Sequence, residues 1–229
     1  MERGRKKMHT TAQIDEIIRL LEAEYPMAEC TLDYTEAYQL LVSVRLAAQC
    51  TDKRVNQISP ALFARFPTVQ DMAKASQEEL EEYIRSTGFF RAKAKDLIGA
   101  AKKIVSDFGG RVPDKMEDLL TLPGVGRKSA NLILGDVYGL PAYVVDTHCI
   151  RLTNRIGLVN TKDPVKLEMQ LRKIIPPDKS SDFCHRMVYH GRAVCQARKP
   201  NCGHCVIRHL CDTYRTDHPD DIMEGTGRK

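Results

Sequence analysis

At 229 residues, with 42% hydrophobic side chains, the chain is long enough for one large domain or two small ones and apolar enough to pack a core, which excludes a disordered or fibrous protein. Lysine and arginine outnumber aspartate and glutamate by 35 to 30, and the resulting charge of +5 permits a polyanionic partner without requiring one. No run of eighteen apolar residues occurs, and the basic opening Met1–Lys7 leads into His9-Thr10-Thr11 rather than a signal core, so an intracellular, cytoplasmic protein without a membrane span is expected.

Helical periodicity dominates the chain. Ile14, Ile17, Ile18 and Leu21 repeat at i, i+3, i+4 and i+7 after a Thr11 cap, and Pro26 closes that helix. Amphipathic helices are predicted over 36–48, 52–63, 77–86 with a Ser76-x-x-Glu79 capping box, 92–108 and 116–120. Others follow over 128–138, ended by Gly139 and Pro141, then 147–155, 165–175 after Asp163-Pro164, and 181–191. Tyr143-Val144-Val145 is too short to start a sheet, and no period of a solenoid repeats, so the fold class is all-α. Beyond Asp212 the composition turns polar, and residues 216–229 are predicted to be a disordered tail.

Two segments carry chemistry. In Leu122-Pro123-Gly124-Val125-Gly126-Arg127-Lys128-Ser129-Ala130, the glycines Gly124 and Gly126 let a turn take positive φ and bring backbone N–H groups against a phosphate, which the next helix attracts with its positive end. Such a turn holds a phosphodiester without reading sequence. Lys128 falls in the first turn of that helix, where the dipole and the adjacent Arg127 both disfavour an ammonium and make a free amine attainable. A surface lysine binding phosphate is the alternative. In Val144-Val145-Asp146-Thr147-His148, Asp146 is an ideal helix N-cap, and it is equally a carboxylate that could stabilise positive charge on a sugar; the residues alone leave both roles open.

Eight cysteines divide into two groups. Cys30, Cys50, Cys149 and Cys184 are scattered, as small buried apolar residues are. Cys195, Cys202, Cys205 and Cys211 form C-x6-C-x2-C-x5-C, a set able to hold tetrahedral zinc or a [4Fe–4S] cube; the single short knuckle between flanking cysteines favours the cube over a zinc ribbon. A disulfide oxidoreductase reading of Cys202-Gly203-His204-Cys205 lacks the strand-to-helix turn it needs. Arg198 and Lys199, inside the first interval, are either phosphate contacts or a solvated loop.

Taken together, Gln49-x-Thr51-Asp52, Gly88-x-x-x-x-Lys93-Ala94, the LPGVGRKSAN hairpin, VVDTH with Asn154-Arg155, His190-Gly191-Arg192 and the cysteine quartet resemble the endonuclease III family of DNA glycosylases, in the helix-hairpin-helix superfamily. The resemblance implies a two-lobed helical fold. A six-helix barrel would cover residues 30–140, with the hairpin at 115–138, and an iron–sulfur cluster domain would combine 1–29 with 141–215, DNA lying across the cleft between lobes. It implies a bifunctional enzyme acting, as a monomer, on double-stranded DNA with damaged pyrimidines or abasic sites, with Lys128 as nucleophile, Asp146 as catalytic carboxylate and a [4Fe–4S] cluster on the four clustered cysteines. Gln49 would fill the void left by an extruded base and Phe89 would wedge the opposite strand, where many relatives have leucine. Leu120 stands where some relatives are acidic, so pocket electrostatics could differ. A monofunctional mismatch glycosylase, which would lack Lys128, and a non-enzymatic DNA clamp, which would need neither Lys128 nor Asp146, are the competing readings.

Overall fold

The computed structural model describes residues 9–220, so the basic opening segment and the tail from 221 onward lie outside the described residues. All regular structure among the described residues is helical. The chain folds as two compact units, one being Cys30–Ala142 and the other joining the segment up to Glu29 with the segment from Tyr143 onward.

Helix α1 (Thr11–Glu24) buries Ile14, Ile17, Ile18 and Leu21 on one face. Its cap is Thr10 rather than the expected Thr11: Thr10 Oγ1 accepts from the Gln13 N–H at 3.3 Å, and the Gln13 side chain accepts from the Thr10 N–H at 2.9 Å. The helix stops at Glu24 because Tyr25 precedes Pro26 and is pushed out of the helical region, with φ −129° and ψ 69°.

The Cys30–Ala142 unit contains α2 (Ala37–Ala47), α3 (Asp52–Arg65), α4 (Val69–Lys74), α5 (Gln77–Ile84), α6 (Phe90–Asp107), α7 (Met116–Leu119) and α8 (Arg127–Asp136). The long α6 packs against α4, α5 and α2 through Ala94, Leu97, Ala101 and Ile104. Periodicity missed α4, which has six residues and buries only Val69 and Met72. Its signal is local instead: Thr68 and Asp71 exchange side-chain-to-backbone hydrogen bonds, both at 3.1 Å. The expected Ser76 box is half made, since Ser76 accepts from the Glu79 N–H at 3.2 Å while the Glu79 carboxylate turns to Arg65 Nε at 2.6 Å.

In the other unit, α1 packs on α11 (Ser180–Ala193), which packs on α9 (Thr147–Ile156); α10 (Pro164–Ile174) and α12 (Asp212–Asp217) complete it. Glu22 of α1 pairs with Lys179 at 3.0 Å and Arg186 at 3.5 Å, and the Tyr143 hydroxyl donates to the Ile175 carbonyl at 2.8 Å. Near the end of the described residues, the Thr213 hydroxyl donates to the Arg155 carbonyl at 2.8 Å and α12 runs to Asp217.

Candidate functional site

The hairpin sits on an ion pair. Arg45 of α2 and Asp96 of α6 meet at 2.6 Å, and a Cβ on Gly124 would lie 2.7 Å from Arg45 Nε and 2.9 Å from Asp96 Cβ. Gly124 also has φ +74°, so conformation and packing both demand glycine. Gly126 differs from expectation: its φ is −99°, and it serves as the N-cap of α8. A Cβ there would meet nothing within 4 Å, and with no side-chain cap the first-turn amides of α8 keep donor capacity for an incoming anion. Lys128 is the second residue of α8 and is exposed.

Gln49 and Phe89 lie in loops of the same unit, after α2 and before α6. Both are exposed, Phe89 at 67%. They are the two non-glycine residues with positive φ among the described residues, at 57° and 49°. An L-residue pays about 1–2 kcal/mol for that backbone, and such positions gather where side chains must be aimed.

Asp146 caps α9, its Oδ1 accepting from the Cys149 N–H at 2.7 Å. The structural role weighed against catalysis is therefore real, and one carboxylate oxygen remains outside that bond. Five residues along, still in α9, Arg151 donates to the Cys195 carbonyl at 2.9 Å and to the Gly191 carbonyl at 3.1 Å. Arg155 donates to the Gln196 and Ala197 carbonyls, both at 2.8 Å. These two arginines, to which sequence analysis gave no role, fix the loop on which the exposed Arg198 and Lys199 stand.

Cys195, Cys202, Cys205 and Cys211 line one cavity of about 60 Å³. Four thiols around one cavity are a donor set for a cube of iron and sulfide or for zinc. Burial pushes the Cys205 thiol up to about 12 and raises those of Cys202 and Cys211, with the neighbouring sulfurs adding to the rise. A cationic core reverses that cost. Nitrogens lie beside the sulfurs: His190 Nε2 is 3.3 Å from Cys205 Sγ, and Arg155 Nη1 donates to Cys195 Sγ at 3.4 Å. The other His190 nitrogen, Nδ1, is 3.0 Å from the Tyr25 hydroxyl, and His190 is buried. The scattered cysteines are free thiols; Cys149 and Cys184 are buried, Cys30 and Cys50 partly so.

Comparison with known proteins decides the family. The model of the HhH-GPD superfamily of base excision DNA repair proteins matches residues 42–177, and that of the iron–sulfur binding domain of endonuclease III matches residues 195–211, bounded by the outer two cysteines of the quartet. Endonuclease III of Synechocystis is 50% identical over 208 residues, which is 90% of this chain and 95% of the relative. A structure of a non-covalent endonuclease III–DNA complex superposes with a TM-score of 0.86 at 36% identity, covering 93% of this chain and all of the other. That of a trapped endonuclease III–DNA covalent intermediate superposes at 0.85 and 37%, covering 92% and 99%.

The chain belongs to the endonuclease III family. Membership brings the helix-hairpin-helix glycosylase fold, with its helical barrel and iron–sulfur domain, and a [4Fe–4S] cluster, which the cysteine cavity fits. No helix among the described residues is long and apolar enough to cross a membrane.

Proposed function

We propose that the protein is a bifunctional base-excision repair enzyme, removing damaged pyrimidines from duplex DNA and then cutting the strand at the abasic site. The observation that carries this reading is an exposed amine, Lys128, on an uncapped helix N-terminus that follows a positive-φ glycine turn. The turn at Gly124 and Gly126, with Arg127, holds the backbone phosphate, and Lys128 meets the adjoining sugar.

Neutral Lys128 Nζ attacks C1′ as the C1′–N bond breaks and the base leaves with a proton from that nitrogen; the C1′–O4′ bond then opens, O4′ takes a proton from water, and an iminium joins lysine to the ring-opened sugar. The Asp146 carboxylate stabilises the positive charge that builds at C1′, a contribution larger in the transition state than in the ground state. Loss of the C2′ proton then drives cleavage of the C3′–O bond, and water releases the lysine.

Gln49 enters the gap left by the extruded base and Phe89 unstacks the opposite strand. Cys195, Cys202, Cys205 and Cys211 hold the cluster, which cross-links their loop and presents Arg198 and Lys199 to phosphates. In domain terms, the barrel covers 30–140 with the hairpin at 115–138, and the cluster domain joins 1–29 to 141–215. All residues given roles belong to one chain, so a monomer suffices, and its genomic substrate places it on the nucleoid in the cytoplasm.

Borohydride trapping on duplexes carrying thymine glycol or an abasic site tests the assignment. A covalent adduct that disappears in Lys128→Ala is expected. Base release without strand cleavage by the wild type would show a monofunctional glycosylase, and no reaction on either duplex would leave a DNA clamp.

A further inference from the structure

One buried side chain joins the two loops that probe the helix. Lys93, at the end of the first turn of α6, is 1% exposed, and its Nζ donates to the Leu46 carbonyl at 2.8 Å and to the Thr87 carbonyl at 2.8 Å. Leu46 stands three residues before Gln49, and Thr87 two before Phe89. The backbone N–H of Lys93 donates to the Phe89 carbonyl at 3.0 Å. A buried ammonium ordinarily finds a carboxylate. This one is given over to main-chain oxygens, each in the approach to a left-handed residue that needs its surroundings to hold it.

We propose that Lys93 is a positioning residue that ties the Gln49 and Phe89 loops into a single rigid probe, so that filling the void on one strand and wedging the other occur as one event. The proposal rests on the reading of Gln49 and Phe89 as inserted side chains. An ammonium can bind the Leu46 carbonyl in the last turn of α2 and the Thr87 carbonyl before Phe89 at once because its three N–H groups diverge. A methionine fills nearly the same volume and holds neither loop. Other bonds near these segments are exposed or local: the exposed Arg54 Nε of α3 donates to Ser86 Oγ at 2.9 Å, Thr87 Oγ1 to the Ile84 carbonyl at 2.8 Å, and the Cys50 N–H to the Ala47 carbonyl at 3.0 Å.

The test compares wild type, Lys93→Met, Lys93→Gln, the pair Gln49→Ala/Phe89→Ala, and that pair combined with Lys93→Met. Strand cleavage is measured at an abasic site in single-stranded DNA, where nothing has to be extruded or filled, and in a duplex. Unstacking is read from 2-aminopurine opposite the abasic site. Lys93→Met is expected to cleave the single strand at the wild-type rate, to lose roughly tenfold or more on the duplex, and to lose the 2-aminopurine signal. Lys93→Gln, which keeps two donors, recovers part of both. Adding Lys93→Met to the double variant costs nothing further, because a residue that acts only through Gln49 and Phe89 has nothing left to position.

Equal loss on single strand and duplex, a full additional loss in the combined variant, or undiminished duplex cleavage would each overturn the proposal. Failure of both Lys93 variants to fold would do the same, by making Lys93 a core residue. The 2-aminopurine signal and thermal melting need no catalysis, so they judge Lys93 even if the wild type cuts neither substrate, an outcome that sinks the lyase assignment alone.

Discussion

Asp146 is at once a cap and a candidate catalyst, and its two roles separate by substitution. Asparagine caps a helix about as well as aspartate, so Asp146→Asn should keep the bond to the Cys149 N–H and lose little beyond the dipole interaction of a charge, about 0.3–1 kcal/mol. Alanine removes the cap as well and should cost about 1 kcal/mol more. Base release should fall by roughly 100-fold or more in both variants, because the carboxylate charge is absent from each. Melting curves and single-turnover base release check this: an Asn variant with normal activity would reduce Asp146 to a cap. Lys93 makes a separate prediction in pH. Burial lowers its pKa from the ordinary 10.5, with Arg45 lowering it further and Cys50 opposing. The unfolded chain therefore holds that proton more tightly than the folded protein, so Lys93 contributes a stability that rises with pH up to about 10.5. Urea melts at increasing alkaline pH should show the wild type gaining on Lys93→Met; the opposite trend would place a hidden anion beside the ammonium.

At the level of elements, the hairpin offers a contrast between two glycines that look equivalent in sequence. Gly124→Ala should destabilise the fold by about 2 kcal/mol or more, since it combines a left-handed φ with a contact on Asp96 Cβ that no flexible side-chain end can relieve. Gly126→Ala should leave the melting temperature almost unchanged, because its backbone is extended and nothing lies within 4 Å. DNA affinity should nevertheless drop by about tenfold, as a methyl now stands where a phosphate approaches the amides. Equal effects of the two substitutions on stability would refute this division. The same contrast shows how far the sequence reaches. Long helices with a continuous apolar face, such as α1 and α6, are legible because burial imposes their period. The six-residue α4 and α12 are not, since caps and a tertiary hydrogen bond hold them rather than a stripe. Candidate residues of distinctive chemistry, Lys128, Asp146 and the cysteine quartet, stand out by type and spacing. The roles of Lys93, Arg151 and Arg155 do not, because their partners are main-chain carbonyls that only the folded chain brings to them.

For the molecule as a whole, a net charge of +5 is too small to bind DNA as a diffuse field, so affinity must come from a few placed cations. Arg198 and Lys199 are the clearest candidates, held on a loop whose carbonyls accept from Arg151 and Arg155 and whose ends, Cys195 and Cys202, are proposed cluster ligands. Each phosphate contact contributes roughly 0.9 to the slope of log affinity against log salt. Neutralising both residues should lower that slope by about 1.8, and should do so equally for damaged and undamaged duplexes, because phosphate contacts carry no sequence information. Removing the cluster by oxidation and chelation ought to produce a similar fall while both side chains are still present, since the loop then loses one of its two supports. The wild type should carry about four irons and four sulfides per chain before treatment. Fluorescence anisotropy across a salt series separates the possibilities. An unchanged slope in the double substitution would return Arg198 and Lys199 to a solvated loop. An unchanged slope after cluster loss, with the double substitution still effective, would mean that Arg151 and Arg155 alone suffice to hold the cations in place.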